Sequence, residues 1–441
     1  MGKFTAIPES GSVSEGTPIA GLRGTGDWAA DERPTDFREF ILFRNPNGTA
    51  PFTALMSKMG KESCKDPEFH WWDEPNDILR LQVAGNVAQA GLTITVDSTD
   101  PTASVPDAVY GNALNLKTGD LLMVELNAAQ VAAGEEDVDI TNHEIVRVNV
   151  VSSATSFTVV RAQAGTSAPA GADSIPDNAF LVHMGSAYEE GSDAADATTR
   201  NPIKFTNYCQ IFKTSYELTN TAREVSNART GDVESNDKKR KVWDHSRQLE
   251  MAMMFGQAFE TTGSAGKPLR FMGGLREFIP ASNTTVFNTG GNVDLDTFMD
   301  AINPMFEYDT PAGDERIGFC GNAYLNQLNS LAKLNGDIQF GPIIKQFGMN
   351  LRQVTLPQGT IYLRRHPLMN RHGLFKGSCF YIDASAVKYR YLRDTKAEDN
   401  IQLPGADKKK GQWLTECSLE TRYAGLTLGY HGNLHNAIVI A

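Results

Sequence analysis

Apolar and polar positions along this chain change their period three times, and each change marks a boundary. Between residues 84 and about 190 apolar and polar residues alternate in LTITVD, LLMVEL, EIVRVNVV and FTVVRA, which predicts short half-buried strands. Ile145 to Val151 and Phe157 to Arg161, separated by Ser-Ser-Ala-Thr-Ser, form a predicted hairpin. From residue 232 the spacing becomes helical: Val242, His245, Leu249, Ala252, Gly256 and Phe259 share one stripe of a single helix predicted over 232–260. Asp232 and Glu234 sit at its positive end, and Thr262-Gly263 close it. At about 1.5 Å per residue such a helix is roughly 40 Å long.

The last third alternates helix and strand. Asp294 is read as the cap of a helix carrying Phe298, Ile302 and Met305. A strand from Arg316 to Cys320 leads to a second helix, read as capped by Asn322, carrying Leu325, Leu328 and Leu331 and stopping at Asn335-Gly336. A hairpin around Pro357-Gln358-Gly359 and the strand-like runs CFYIDASAVKYRYL and WLTECSLETRYAGLTLGY follow.

Residues 1 to about 36 have no period and are rich in Gly, Ser, Thr, Pro and acids, the composition of an extended arm that needs a neighbour to order it. After it, apolar clusters Phe40 to Phe43 and Phe52 to Met59 flank the turn Asn45-Pro46-Asn47-Gly48. Residues 68–80, EFHWWDEPNDILR, read as an outgoing strand interrupted by Pro75, and IKFTNYCQIFKTSYELTN as a returning one. The alternation in the returning strand is read as Phe205, Tyr208 or Cys209, Ile211, Lys213 and Ser215. The two strands bracket the β-rich stretch, and GSAYEEGSDAADATTRNP is the linker back, so the chain is α+β with a small all-β insertion.

Composition narrows the function. Lys and Arg total 41 against 53 Asp and Glu, a net charge of −12, opposite to what tight phosphate binding requires. The start MGKFTAIPESGSVSEG lacks an apolar signal core, and no run of about 18 apolar residues occurs, so neither export nor a membrane span is expected. Cys64, Cys209, Cys320, Cys379 and Cys417 are scattered singly and read as reduced thiols.

Candidate chemistry is thin. GLRGTG and GSAGK lack the strand-to-helix context and spacing of phosphate loops. His366 with His372 and His431 with His435 have no completing ligands, so no metal and no cofactor are expected. No GxSxG elbow occurs, and no catalytic residue is assigned. The run Lys238-Lys239-Arg240-Lys241 lies within about a turn of Glu234, Asp237 and Asp244, and reads as a solvated or intersubunit charged face paired with those acids. Trp71 and Trp72, adjacent on a strand, point to opposite faces, so packing under a neighbour is the favoured role over a stacking platform.

Four ordered motifs carry a resemblance: APFTALM at 50–56, FHWWDEPND at 69–77, FTNYCQIF at 205–212 and CSLETRYAGL at 417–426. In that order the chain resembles tailed-phage major capsid proteins of the Hong Kong 97-like fold, in a podophage-type coat-protein family, with an enlarged E-loop. The resemblance implies an N-terminal arm over 1–65, E-loop strands over 66–83 and 188–220, and the insertion over 84–187. It further implies a P-domain over 221–290 with 232–260 as spine helix, an A-domain over 291–410, and closing strands over 411–441 that return to the P-domain.

The implied function is self-assembly into hexamers and pentamers of an icosahedral shell that encloses double-stranded DNA without reading its sequence. A phage decoration or carbohydrate-binding β-rich protein is the alternative, and an enzyme is not expected. Expected partners are many copies of the chain, a portal, scaffolding and possibly cement proteins, with no membrane. The chain would be made in the bacterial cytoplasm and reside in the virion capsid, in a shell without covalent cross-links. Trp71, Trp72, Asp73, Glu74, Tyr208, Lys238, Lys239, Arg240 and Lys241 are the expected intersubunit contacts.

Overall fold

The computed structural model describes residues 50–58, 61–74, 80–97, 113–125, 144–168, 174–177, 179–194, 197, 202–224, 232–335, 340–346 and 349–440. The expected arm, the Phe40 to Phe43 cluster and the turn at 45–48 lie outside these residues.

The long helix runs Val233–Phe255, with Asp232 as N-cap accepting a hydrogen bond from the Glu234 N–H. It ends five residues before the expected boundary because Gly256 is extended, and a Cβ there would collide with the carbonyl oxygens of Ala252 and Met272. Phe259 therefore leaves the predicted stripe and pairs with Phe271 in the hairpin Phe259–Thr262 with Pro268–Phe271. His245, Leu249, Met253 and Met254 form the buried side of the helix together with Glu250, and of these only His245 and Leu249 belong to the predicted stripe.

Under the helix lies a four-stranded sheet in the order Lys61–Ser63, Val387–Glu398, Lys408–Thr421, Gln210–Thr219. The returning segment breaks at Cys209 into Ile203–Tyr208 and Gln210–Thr219, which belong to different sheets. That break reverses the expected alternation: Phe212, Thr214 and Tyr216 are buried, while Ile211, Lys213 and Ser215 face out. The inward face meets the helix, where Thr214 Oγ1 lies 3.0 Å from His245 Nδ1.

A seven-stranded sheet forms the other half of the body, in the order Thr284–Val286, Gly429–Gly432, Cys379–Ile382, Glu315–Cys320, Gly359–Arg365, Met349–Leu356, Phe340–Gln346. Leu295–Ile302, capped by Asp294, and Asn322–Asn335 pack their apolar residues against it. Asn322 is the first helical residue and not the cap, and its N–H bonds Asn370 Oδ1 at 2.5 Å. Leu356 pairs with Gly359, so Pro357-Gln358 is the hairpin turn.

The β-rich stretch folds around its own core. Among the described residues its six strands run in the order Arg80–Gln82, Phe180–Ser186, Asp120–Glu125, Ile145–Val151, Ser156–Val160, Thr93–Thr95. The buried residues at its centre, from Leu81 to Leu181, contact one another and no residue of the two body cores. The start of this unit moves from the expected residue 84 to residue 80, because Arg80–Gln82 is an edge strand of this sheet.

Candidate functional site

The body and the insertion are joined by an antiparallel ribbon, Glu68–Asp73 with Ile203–Tyr208, in which Trp71 faces Phe205 and Trp72 faces Lys204. Successive strand residues point to opposite sides, and the two tryptophans separate accordingly. Trp71 is 7% exposed, stacked between Phe69 at 5.7 Å and Phe205 at 5.8 Å and edge-on to Phe278 at 5.6 Å. Its own chain covers it, which corrects the expectation that it packs under a neighbour. Trp72 is 58% exposed, with His70 beside it.

Asp73 Oδ2 accepts from the Ala424 N–H at 2.6 Å, and burial raises its carboxyl above the usual range despite that bond. Glu74 is exposed and Tyr208 half-buried.

Asn207, fully buried, fastens the ribbon. Its amide donates to the carbonyls of Gly273 at 3.1 Å and Leu419 at 2.7 Å, and its Oδ1 accepts from the Gly273 N–H at 2.7 Å. Sequence reasoning passed over it because an asparagine in a strand looks like a solvent-facing residue. The signal present was its place inside FTNYCQIF, where Phe205, Tyr208 and Cys209 stand within two positions of it.

The basic run is organised by distant residues. Lys238 Nζ pairs with Asp399 at 2.8 Å and lies 5.9 Å from the centre of the Trp413 ring. Hydrogen bonds from Lys238 and Tyr216 hold the Asp399 carboxyl below its usual range. Glu234 pairs with Lys409 and with Arg223, and Asp244 with Arg247, so the expected pairing of Glu234 and Asp244 with the basic run is not the arrangement found. Lys239 and Arg240 are exposed and Lys241 half-buried.

A second constellation surrounds Glu250. This carboxylate accepts from the N–H groups of Phe52 at 2.7 Å and Thr53 at 2.5 Å, from Thr53 Oγ1 at 2.6 Å, and lies 2.7 Å from His366 Nε2. Glu250 thus satisfies the free N–H groups at the start of the helix Pro51–Lys58, with the negative charge at the positive end. The helix is held from the far side of the chain, and Phe52, Leu55 and Met56 complete the attachment by burying in the helix-side core.

His431 is fully buried: Tyr324 Oη lies 2.9 Å from its Nδ1 and 2.6 Å from Tyr381 Oη, and Ala301 O lies 3.1 Å from its Nε2. Desolvation lowers its pKa to about 4. His366 and His431 are therefore hydrogen-bonded core residues, and among the described residues no group of three or more His, Cys, Asp or Glu is placed to hold a metal. All five cysteines are free, and Cys320 Sγ lies 3.0 Å from Cys379 Sγ. Among the described residues no helix is long and apolar enough to cross a membrane.

What these constellations position is attachment: an anchored N-terminal helix, and a fastened ribbon that carries a separate β unit. A profile of the SU10 major capsid protein family matches residues 19–426, and the chain belongs to that family. It is a tailed-phage major capsid protein, a shell-forming structural subunit of the virion, and its fold is α+β. The major capsid protein of Pseudomonas phage PaMx41 is 27% identical over 384 residues, which cover 85% of this chain and 83% of that protein. Among solved structures, one from Mycobacterium phage Adephagia has a TM-score of 0.41 at 9% identity, covering 93% of this chain and 96% of that one. Another, from Mycobacterium phage Patience, has a TM-score of 0.38 at 10% identity, covering 56% and 77%.

Proposed function

We propose that the chain assembles as hexamers and pentamers of an icosahedral shell enclosing double-stranded DNA, and that the ribbon with its β unit is the E-loop. The observation that carries this reading is the ribbon: two strands leave the body, expose Trp72 at 58%, and end in a unit with a core of its own. A two-stranded ribbon with a large exposed aromatic gains stability when a neighbouring copy covers it.

In this reading 1–65 is the arm, 221–290 the P-domain with Val233–Phe255 as spine, 291–410 the A-domain, and 411–441 the return to the P-domain. Trp72, Glu74, Lys239 and Arg240 are the intersubunit contacts their exposure favours, and Asp73, Tyr208, Lys238 and Lys241 border them. Portal, scaffolding and cement proteins are the further partners, assembly takes place in the host cytoplasm, and the shell is held without covalent cross-links. The β unit clamps adjacent capsomers or stands on the exterior.

Electron microscopy and light scattering of the expressed chain test the assembly. Closed particles are expected, and a stable monomer under all conditions, including with scaffolding protein present, overturns the reading. Deleting residues 80–187 should leave a folded body that forms fragile or aberrant particles; unchanged particle stability would exclude the clamping role.

A further inference from the structure

We propose that Cys64 and Cys209 are an oxidation site, a pair of thiols that a small-molecule disulfide converts into an intrachain bond across the base of the ribbon. Three cysteines far apart in sequence meet at one end of the four-stranded sheet. Ser63 lies opposite Tyr391, and the next residue, Cys64, donates its N–H to the Tyr391 carbonyl at 2.8 Å. Tyr391 faces Cys417 on the following strand, and Cys417 faces Gln210, the residue after Cys209. The chain crosses this end of the sheet, so that the Pro67 carbonyl accepts from the Cys209 N–H at 2.7 Å. The Cys64 and Cys209 thiols are hydrogen-bonded to each other. The two sulfurs are therefore neighbours, as a disulfide between them requires.

The pair is chemically asymmetric. Cys64 is half-buried and open to a dissolved reagent, while Cys209 is 1% exposed. The hydrogen bond from Cys209 lowers the Cys64 pKa, and the Arg390 guanidinium adds to this against burial and the charges of Glu420 and Glu62. The same bond pushes the Cys209 thiol up, and burial adds to it. Cys64 is the attacking thiolate and Cys209 the thiol that resolves. Cys417 is fully buried, and burial pushes its thiol up to about 12. Cys320 and Cys379, whose sulfurs lie 3.0 Å apart, are both fully buried and closed to a dissolved reagent.

In the first step the Cys64 thiolate attacks one sulfur of the small disulfide. That S–S bond breaks, and the small thiolate that leaves takes up the proton Cys64 has released. The mixed disulfide on Cys64 carries no charge, so Cys209 loses the partner that held its proton. Cys209 then ionises, its sulfur attacks Cys64 Sγ, and the second small thiol leaves with that proton. The two cysteines are oxidised by two electrons, and the small disulfide is reduced to two thiols. The bond closes a covalent ring over residues 64–209, which contains both ribbon strands and the whole β unit. Inside a cell the pair stays reduced, whereas a virion outside the cell meets an oxidising medium and acquires the staple.

The test treats the full chain, freed of reductant, with oxidised glutathione at neutral pH. The reaction is quenched in acid, remaining thiols are blocked with N-ethylmaleimide during unfolding, and peptides are mapped without reduction. A Cys64–Cys209 linked peptide is expected, leaving three of the five thiols free. An oxidised chain nicked once between the two cysteines should run as one band on a non-reducing gel and as two after reduction. Cys209→Ser should stop at a glutathione adduct on Cys64, and Cys64→Ser should leave Cys209 a free thiol. Cys64 left unmodified in the unsubstituted chain overturns the proposal, as does a glutathione adduct there that does not progress to Cys209. A bond from Cys64 to another cysteine, or a disulfide-linked dimer, overturns it equally.

Discussion

Glu144 in the insertion and Glu250 in the body are both carboxylates almost wholly removed from water, at 3% and 0% exposure, yet they find their partners at very different separations along the chain. Glu144 is gripped by Arg161, through Nε at 2.6 Å and Nη2 at 2.5 Å, seventeen residues away across neighbouring strands. Arg161 also donates to the carbonyls of Ala88 and Gly91 and to Ser174 Oγ, all inside the same unit. Glu250 is satisfied by Phe52 and Thr53, nearly two hundred residues earlier, and by His366, more than a hundred later. The insertion is a local solution to burial and the body a long-range one. Damage to the first should stay within it, whereas damage to the second should release the N-terminal helix.

The largest effect is expected from Glu250→Ala, which leaves two N–H groups, a hydroxyl and His366 without their buried acceptor. The loss should be on the order of 4 kcal/mol in denaturant unfolding of the body, with limited proteolysis showing early cleavage near residue 58. Arg161→Ala should cost about 3 kcal/mol, confined to the insertion, since Glu144 keeps the Ala162 N–H as a donor. If Arg161→Ala lowers the body's transition as much as the insertion's, the two regions are not separate and the comparison fails.

His431 sharpens it on the body side through pH. Its folded pKa of about 4 is depressed from an ordinary value near 6.5, so the unfolded chain takes up the proton first. The stability it represents is present above pH 6.5 and is lost as pH falls toward 4, at most about 3 kcal/mol. His431→Asn should flatten that part of the body's stability-versus-pH curve and leave the insertion's unfolding untouched. The smallest effect belongs to Lys238→Ala, whose pair with Asp399 is partly exposed on both sides; thermal unfolding should shift by no more than about 1 kcal/mol equivalent.

What could be read from sequence follows the same division. The hairpin Ile145–Val151 with Ser156–Val160 was legible because alternation and the turn both lie within its own residues. So was the cap Asp294, whose hydrogen bonds reach only three positions ahead. The buried face of Gln210–Thr219 was misread because the chain passes at Cys209 from one sheet to another, just after Asn207 bonds the distant residues Gly273 and Leu419. Glu250 and Asn207 looked like surface residues, since nothing nearby in the chain shows what will meet them.

The sequence by itself determined the α+β class, the presence and core pattern of the insertion, the long helix and its start, and, through four ordered motifs, the capsid family. Each depends on periodicity or order along the chain, which short stretches carry complete. Only the tertiary structure decided where the helix ends, which tryptophan is buried, and how the N-terminal helix is tied to Glu250. Those outcomes depend on donors, acceptors and ring faces contributed from far away in the chain, and a polar residue shows its burial only when such partners arrive.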